Sequence, residues 1–376
     1  MQLSDKIFTF DDGQFSRFFD IITSSGLKLS LFSIGASIQK IAFIQMDASG
    51  NYPKNGLEFP ITLSSSDPEF YRVCPCYAGA TLAPNAGRIS TSSMRIGQEL
   101  ISLSPNEGPH QLHGGPHNLS RMNWDTEFVH QDYDSISIGF SSFLADNVDG
   151  YPGNRTFHTV YTLDDSGWLT IRYHAVTDRP TYINMSNHTY WNLSGDFSKS
   201  ALNQKLTIFA NNVCLNTEEH IPESILSVTR TPFDFRKGAS LQSRLEFLPR
   251  DEALRAACRR QISIARGYNH AFILNRNQES RSFRSFPRPV SKACVLESPD
   301  SGHSITLYTD APTLVLYSGG FLDSSMQFPN GSSSCSSCAI ALEAQDLPDS
   351  PHFLANHFML TTPEHPFERM IRIQIR

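Results

Sequence analysis

Short runs of alternating apolar and polar side chains, separated by turn-forming residues, dominate this chain. Residues 157–176 carry the clearest pattern, with two such runs on either side of an Asp-Asp-Ser-Gly turn at 164–167. Because successive side chains of a strand point to opposite faces, a period of two favours β-strands. The same pattern predicts strands at 30–44, 205–209, 293–297, 304–309 and 313–318.

Helical patterns are scarce by comparison. Residues 250–260 form the clearest one, with acidic residues first and arginines last, as a helix dipole prefers. A turn is predicted at 47–53, and exposed loops are predicted at 276–289 and 331–337. Since no change of composition marks a linker, we expect residues 1–376 to form a single all-β domain. Many close strands with few short helices predict a large antiparallel β-sandwich.

Charge and cysteine content narrow the class of protein. The 376 residues carry a net charge of -6, whereas nucleic acids and anionic membranes require a basic protein surface. Neither is therefore expected as the main partner, which leaves a small molecule. Seven cysteines in so long a chain are not typical of a disulfide framework. With no signal-peptide pattern and no apolar stretch of membrane-spanning length, we expect a cytoplasmic protein.

Polar residues and aromatic residues occur together in the segment 184–195. If this segment is one strand, Asn184, Ser186, His188 and Tyr190 share a face. Hydrogen-bonding groups beside aromatic rings suit a sugar, whose hydroxyls need partners and whose C–H face stacks on rings. The alternative is a solvated strand face with a surface histidine.

A single carboxylate interrupts the apolar segment 339–349. Burial of Glu343 would be costly unless the residue is paired or used, and it would raise the pKa towards the value that a general base needs. The alternatives are an inward-facing ion pair or a register that points Glu343 to water.

Two further segments hold candidate binding residues. His110 and His113 precede the Gly114-Gly115 pair, which indicates a histidine at a strand tip rather than a metal ligand. Arg88 follows a turn and could hold oxygens with its planar fork, although a surface arginine is the common alternative. We predict no metal ion, and no nucleotide-binding glycine loop is present.

The order of these segments resembles the aldose 1-epimerase (galactose mutarotase) family. The matching segments run from about residue 20 to the C-terminus. They are Gly35-Ala36, Gly79-Ala-Thr81, Arg88-Ile89, Gly108-Pro109, Leu112-His-Gly-Gly115, Gly150-Tyr-Pro-Gly153, Asn187-His-Thr-Tyr-Trp-Asn-Leu193, Thr231-Pro-Phe-Asp-Phe-Arg236, Gly267-Tyr-Asn-His-Ala-Phe272, Tyr317-Ser-Gly-Gly-Phe-Leu322 and Leu342-Glu-Ala-Gln-Asp-Leu-Pro-Asp349.

The resemblance implies a β-supersandwich with a sugar cleft on one face and no cofactor. It implies that His188 and Glu343 match the catalytic pair, and that His113 and Arg88 match substrate-binding residues. Glu343 would then remove the proton of the anomeric hydroxyl while His188, as imidazolium, protonates the ring oxygen. The neighbouring carboxylate is expected to keep His188 charged near neutral pH.

Several positions depart from the family pattern and leave the substrate open. Asn269 stands where the family has a sugar-binding aspartate, and Ala271, Val315, Gly87 and Pro84 also differ. Asn269 can still accept and donate a hydrogen bond to a sugar.

Two alternatives to a free sugar substrate remain. A sugar phosphate would need an anion site, for which the basic residues of one segment are candidates: Arg276, Arg281, Arg284, Arg288 and Lys292. A non-catalytic carbohydrate-binding protein on the same fold is the other alternative. The sequence leaves open whether the protein is a monomer or a homodimer.

Overall fold

The structure is a computed structural model that describes residues 1–45, 57–276, 288–324, 334–353 and 358–376. Three segments for which the sequence predicts a turn or a loop lie wholly or partly outside these residues. The turn at 47–53 lies outside the described residues, as do residues 277–287 of one predicted loop and 331–333 of the other.

Strands make up most of the regular structure in the described residues. The strands of the first half are β1 (Gln2–Thr9), β2 (Phe15–Ile22), β3 (Leu27–Phe32), β4 (Ser37–Ile44), β5 (Glu58–Pro60), β6 (Thr81–Leu82), β7 (Arg88–Ile89), β8 (Ser93–Ile96), β9 (Glu99–Ser102), β10 (Gln111–Leu112), β11 (Asp125–Gln131), β12 (Ser135–Leu144), β13 (Arg155–Asp164), β14 (Trp168–Thr177), β15 (Ser186–Asn187) and β16 (Tyr190–Trp191). Those of the second half are β17 (Lys205–Ile208), β18 (Ala210–Asn216), β19 (Pro222–Ser227), β20 (Ala239–Ser240), β21 (Asn269–Leu274), β22 (Ser291–Glu297), β23 (Ser304–Thr309), β24 (Thr313–Tyr317), β25 (Ile340–Gln345) and β26 (Phe367–Ile375). The α-helices are α1 (Pro68–Val73), α2 (Leu241–Leu245), α3 (Glu252–Ala265) and α4 (Ser350–Phe353).

Three large antiparallel sheets organise these strands. The first has the order β1-β2-β3-β4-β5, and the second has the order β11-β12-β13-β14-β26-β23-β22-β17-β20. The third, six-stranded sheet has the order β16-β25-β24-β21-β18-β19. The apolar faces of all three contribute to one buried cluster that includes residues from Phe19 to Ile375, so the sheets share one core.

The predicted strands are confirmed where the structure describes them. Strands β13 and β14 pair across the predicted turn at 164–167, and β13 alternates strictly between buried and half-buried side chains. Strands β17, β22, β23 and β24 occupy the four other short segments that the alternation predicts, and β3 and β4 occupy the segment 30–44. Period-two patterning was therefore a sufficient signal for these elements.

The segment 184–195 is not the single strand that a shared face for Asn184, Ser186, His188 and Tyr190 would require. The chain turns between β15 and β16, because the Asn187 side chain accepts hydrogen bonds from the Thr189 amide (3.0 Å) and hydroxyl (2.5 Å). Asn184 instead bonds to Arg369 (2.7 Å), and the Ser186 hydroxyl donates to the Ala344 carbonyl (3.0 Å). Both of these side chains are structural, and only the later part of the segment reaches the cavity described below.

The predicted helix at 250–260 is present but longer. Asp251 caps its first turn by accepting from the Leu254 amide (2.8 Å). The helix α3 continues past Arg260 to Ala265 and ends where Arg266 adopts a left-handed conformation (φ 50°). The sequence had predicted arginines in the last turn of this helix. In the structure they lie before that turn.

Candidate active site

A cavity of about 430 Å³ opens on the six-stranded sheet. Strands β25, β24 and β21 form its floor, while the loops around β7, β10 and β15 form its walls. The five residues that the sequence nominates all line this cavity: Arg88, His113, His188, Asn269 and Glu343. The structure thus brings together candidates that lie up to 255 positions apart, from Arg88 to Glu343.

Strand β25 carries Glu343 into the cavity floor. All six side chains of β25 are buried, but alternate ones have different neighbours. Ile340, Leu342 and Ala344 belong to the main core, whereas Glu343 and Gln345 line the cavity. The apolar sequence around Glu343 therefore reflects burial of both faces of the strand, and the carboxylate points away from the hydrocarbon core.

The turn between β15 and β16 positions His188. Its amide donates to the Ala80 carbonyl, and its carbonyl accepts from the Gly79 amide, both at 3.0 Å. Gly79 has a φ of 71°, and a Cβ atom there would lie 1.9 Å from the Ile38 carbonyl oxygen, so only glycine fits. The imidazole is 5 % exposed, which rules out the alternative of a surface histidine.

His188 and Glu343 meet inside the cavity. The His188 Nε2 atom lies 3.6 Å from the Glu343 Oε1 atom. Among the described residues, none donates a hydrogen bond to this carboxylate, which is 4 % exposed. Burial raises the pKa of Glu343 to about 8, partly offset by the charge of Arg88. Burial also lowers the pKa of His188 to about 4.

These pKa values correct one expectation from the sequence. The carboxylate was expected to keep His188 charged near neutral pH, but desolvation disfavours both charges. With these pKa values the pair at pH 7 consists of a protonated Glu343 beside a neutral His188. This pair has the same number of protons as a carboxylate beside an imidazolium, so one proton transfer interconverts the two forms.

His113 is held in a single tautomer. Its Nδ1 atom accepts from the Gly87 amide (3.1 Å), and its own amide donates to the Gly87 carbonyl (3.0 Å). Burial lowers its pKa well below the usual value. A neutral imidazole that accepts at Nδ1 carries its proton on Nε2, so His113 offers a fixed N–H donor.

Arg88 is already paired with an acid that the sequence analysis did not single out. Its Nε and Nη2 atoms donate to the two oxygens of Glu107, at 2.5 and 2.8 Å. Such a bidentate contact fixes the plane of the guanidinium group. Because Glu107 also lines the cavity, the site offers the fixed guanidinium of Arg88 as a donor and the carboxylate of Glu107 as an acceptor beside it.

Helix α3 holds the Asn269 backbone in place through a chain of hydrogen bonds. Gln261 accepts from the Asn216 amide and donates to the Asn216 carbonyl, both at 2.8 Å. The Asn216 side chain in turn donates to the Asn269 carbonyl (2.9 Å). The Asn269 backbone is thereby fixed, and its half-buried side chain lines the cavity.

Gln345 is a cavity residue that sequence reasoning missed. It is 1 % exposed, and its Oε1 atom has no hydrogen-bond partner among the described residues. The signal was available, since Gln345 lies two positions after Glu343 and strand alternation places both on one face. A buried amide with a free acceptor is ready for a ligand donor.

Aromatic rings surround the histidines. The Tyr190 ring lies 4.8 Å from the His188 ring, and the Tyr77 ring lies 4.7 Å from the His113 ring. Tyr317 adds a third tyrosine to the lining. Polar groups beside aromatic faces match what the segment 184–195 predicted for a sugar, although Tyr77 and Tyr317 come from elsewhere in the chain.

The remaining candidates lie away from this cavity. His110 faces Glu219 at 3.3 Å and is not part of the lining. Among the described residues, no group of three or more His, Cys, Asp or Glu side chains is placed to hold a metal ion. In the same part of the chain, no helix has the length and apolar character needed to cross a membrane.

The described basic residues among those proposed for a phosphate group, Arg276, Arg288 and Lys292, also lie outside the cavity lining. Arg288 pairs with Asp310 at 3.1 Å, and Arg276 donates to the Asp310 carbonyl at 2.6 Å. Lys292 lies over the Phe209 ring. Arg281 and Arg284 lie outside the described residues.

The fold and the site together define a class of enzyme. An antiparallel β-sandwich presents a buried acid–base pair in a cavity with hydrogen-bonding and aromatic walls, which suits proton transfer on a carbohydrate. Comparison with known proteins specifies the family. Residues 50–363 match the family model for aldose 1-epimerase.

Individual relatives agree with that match. Aldose 1-epimerase of Escherichia coli is 31% identical over 343 residues, which cover 91% of this chain and 89% of that protein. Galactose mutarotase of Bos taurus is 29% identical and covers 80% of each chain. The crystal structure of galactose 1-epimerase from Lactobacillus acidophilus has a TM-score of 0.80 at 25% identity, covering 100% of this chain and 98% of that one.

The chain belongs to the aldose 1-epimerase family. The predicted fold, the isomerase class and the aldose 1-epimerase activity are thereby confirmed.

Proposed function

We propose that the cavity binds the ring form of a free aldose, and that Glu343 and His188 are the general base and general acid of mutarotation. The observation that carries the assignment is the 3.6 Å separation of the buried His188 Nε2 and Glu343 Oε1 atoms inside the cavity. Ring opening needs one proton taken from the anomeric hydroxyl and one given to the ring oxygen. Two adjacent proton carriers that share one proton meet this requirement without a cofactor.

The sugar itself would convert the resting pair into the reactive form. In the resting pair the proton resides on Glu343, because burial raises the pKa of a carboxylate to which no described residue donates a hydrogen bond. An anomeric hydroxyl that donates to Glu343 stabilises the charged carboxylate and lowers its pKa. The proton then moves to His188, which delivers it to the ring oxygen as Glu343 takes the hydroxyl proton. Rotation about the C1–C2 bond and reversal of both transfers close the ring on the other face.

The other predicted residues would hold the sugar in place. His113 donates from Nε2 to a sugar oxygen, a role supported by its fixed tautomer. Arg88 and Glu107 offer a donor and an acceptor side by side, which suits hydroxyls that need both. Asn269 provides an amide at the opposite side of the floor. None of these roles requires a charged substrate.

The structure favours a free sugar over a sugar phosphate. Arg276 and Arg288 are engaged with Asp310, and neither lines the cavity. Of the described arginines and lysines, only Arg88 lines the cavity, and Glu107 already neutralises it. We also propose, from the sequence, that residues 1–376 act as one domain in the cytoplasm, as a monomer or homodimer. The described cysteines are all free thiols.

Polarimetry tests the assignment. Freshly dissolved α-D-glucose and α-D-galactose are followed with the protein and with the variants Glu343→Gln and His188→Asn. Each variant is expected to lose about 10²–10⁴-fold in kcat/KM, with an unchanged circular dichroism spectrum. Turnover near that of the wild type in either variant would overturn the assigned roles.

The chain offers a matched control. His174 and Glu368 also lie 3.6 Å apart, but they are half-exposed on the nine-stranded sheet, away from the cavity. His174→Asn and Glu368→Gln change the same chemical groups and are expected to retain full activity. If the wild type accelerates neither sugar, the non-catalytic carbohydrate-binding alternative becomes the better account.

A further inference from the structure

Two cysteine thiols face each other in the wall of the cavity. The Sγ atoms of Cys74 and Cys76 lie 3.1 Å apart, and both residues are free thiols. Cys76 is half-buried and lines the cavity, whereas Cys74 is 3 % exposed and is not part of the lining. The proposed mutarotation mechanism uses neither thiol, so the pair is an unassigned reactive group beside the candidate catalytic residues.

The surroundings of the pair favour a thiolate. A hydrogen bond from the Cys76 thiol lowers the pKa of Cys74 to about 7, and the positive charge of Arg121 acts in the same direction. The guanidinium group of Arg121 lies over the Tyr77 ring, 5.1 Å from its centroid. Because the two sulfurs share the remaining proton, this low pKa belongs to the pair. A thiolate is the nucleophilic form of cysteine, and this one has a second thiol within reach.

The other buried cysteines lack this activation. Burial raises the pKa of each of their thiols to about 11 or about 12: Cys214, Cys258, Cys294 and Cys338. A thiol with a raised pKa and no access to solvent is chemically inert. The pair in the cavity wall is therefore set apart from these four.

The segment that carries the pair is bound to the residues around the candidate acid. The Cys76 carbonyl accepts from the Tyr190 hydroxyl (3.0 Å), and the Tyr190 ring lies 4.8 Å from the His188 ring. Tyr77, the next residue in the chain, packs against the His113 ring at 4.7 Å. A displacement of the backbone at Cys76 is therefore passed to both histidines.

We propose that Cys74 and Cys76 form an oxidation site, at which hydrogen peroxide converts the two thiols to a disulfide and lowers the activity of the enzyme. The shared proton can move between the sulfurs, so that Cys76, which lines the cavity, attacks a peroxide oxygen as the thiolate. The O–O bond breaks, and the hydroxide that leaves takes up a proton to form water. The Cys74 sulfur then attacks the sulfenic acid on Cys76. The S–S bond forms as the S–O bond breaks, and the second hydroxide leaves as water with the last thiol proton.

The bond is expected to disturb the site because little chain separates the two sulfurs. Its formation draws them about 1 Å closer together, and Pro75 is the only residue between them. A misplacement of about 1 Å in groups that orient a reaction costs up to about 100-fold in rate. The formation of the disulfide is independent of the roles proposed for the catalytic pair, whereas the loss of activity rests on the proposed function of His188.

Peroxide treatment of the full chain tests the inference. Polarimetry gives kcat/KM before and after treatment, and mass spectrometry follows the tryptic peptide 73–88, which contains both cysteines. We expect kcat/KM to fall by about 10- to 100-fold while this peptide loses two hydrogen atoms. Dithiothreitol, a dithiol reductant that takes up the disulfide by exchange, should restore both.

Three alanine variants locate the effect. Cys74→Ala and Cys76→Ala, each compared with its own untreated activity, are expected to keep that activity after peroxide, because a single thiol lacks the hydrogen bond that makes the pair reactive. Cys335→Ala is the control, since Cys335 is the other half-buried cysteine. It should remain as sensitive to peroxide as the wild type.

The outcomes separate this inference from the proposed function. A disulfide within residues 73–88 that appears with a reversible loss of activity, and that neither pair variant shows, supports the inference. Full activity in spite of that disulfide, or inactivation while both thiols stay reduced, overturns it, and so does protection by Cys335→Ala. Peroxide-insensitive mutarotation that still requires Glu343 refutes this inference alone. If the untreated protein accelerates neither sugar, the proposed function fails, and the control of activity fails with it.

Discussion

The His188 Nε2 and Glu343 Oε1 atoms are separated by 3.6 Å, the same distance that separates His174 Nδ1 from Glu368 Oε1 on the nine-stranded sheet. The two pairs differ in their surroundings. The side chains of the first pair are 7% and 5% exposed, while those of the second are 41% and 29% exposed in an open groove on the other sheet. Burial shifts the pKa of Glu343 up and that of His188 down, and these shifts make the first pair suited to proton transfer near neutral pH.

The activity is expected to depend on pH through this pair. Below a pH of about 4 both groups are protonated and no base remains, and above a pH of about 8 both are deprotonated and no acid remains. A plot of kcat/KM against pH should therefore be bell-shaped with a broad maximum between these limits, which belong to the pair rather than to either residue. A flat profile from pH 3 to pH 10 would contradict the shared-proton mechanism.

Glu343→Gln is expected to stabilise the fold at alkaline pH while it removes activity. The folded-state pKa of Glu343, about 8, lies above its ordinary value of 4.5, so the folded protein retains a proton that the unfolded chain releases. Stability of the wild type therefore falls as the pH rises from 4.5 to 8, and glutamine has no such dependence. At pH 8.5 we expect the variant to melt about 2–5 °C higher. At pH 4 the two Tm values should converge, and an equal difference at both pH values would argue against a raised pKa.

His113 is expected to act as a neutral donor. His113→Leu removes the Nε2 proton donor and should lower kcat/KM by about 10- to 100-fold, as expected when a buried sugar oxygen loses its partner. The shape of the pH profile should not change, because burial holds the pKa of His113 well below its usual value. Nitrogen-15 NMR of the wild type should locate the proton on Nε2. His110→Gln, which alters a histidine outside the cavity, is the control, and a proton found on Nδ1 would refute the assignment.

Gln345 is expected to lower the stability of the fold while it contributes a hydrogen-bond acceptor for the sugar. Its buried Oε1 atom accepts no hydrogen bond from any described residue, so the nearly isosteric Gln345→Leu should leave the Tm unchanged or higher. The same change should raise KM about 10-fold, because a sugar hydroxyl loses its acceptor. Gln374→Leu, on β26 in the nine-stranded sheet, tests whether losing a buried amide elsewhere has this effect. An unaltered KM in Gln345→Leu would leave the amide without a role in binding.

Local pattern was enough to predict much of the fold. Strands β13 and β14 and the turn between them follow from residues that are neighbours in sequence, because the side-chain period of a strand is set within the strand itself. The segment 184–195 shows where this reasoning fails. A strand there would give Asn184, Ser186 and His188 one face, yet the Asn187 side chain turns the chain at Thr189. Contacts with distant Arg369 and Ala344 hold Asn184 and Ser186 elsewhere.

The sequence by itself determined the antiparallel β-sandwich, the family and the identity of His188 and Glu343 as the candidate pair, since strand period and the order of motifs are properties of the chain. Only the tertiary structure decided their surroundings. The pairing register of β24 and β25 places Val315 beside Glu343. The loop that carries Glu107 lets its carboxylate pair with Arg88. Burial raises the pKa of Glu343, so that the shared proton resides on this residue. The physical reason is that pairing and desolvation depend on atoms that are remote in sequence, and the folded sheets alone bring those atoms together.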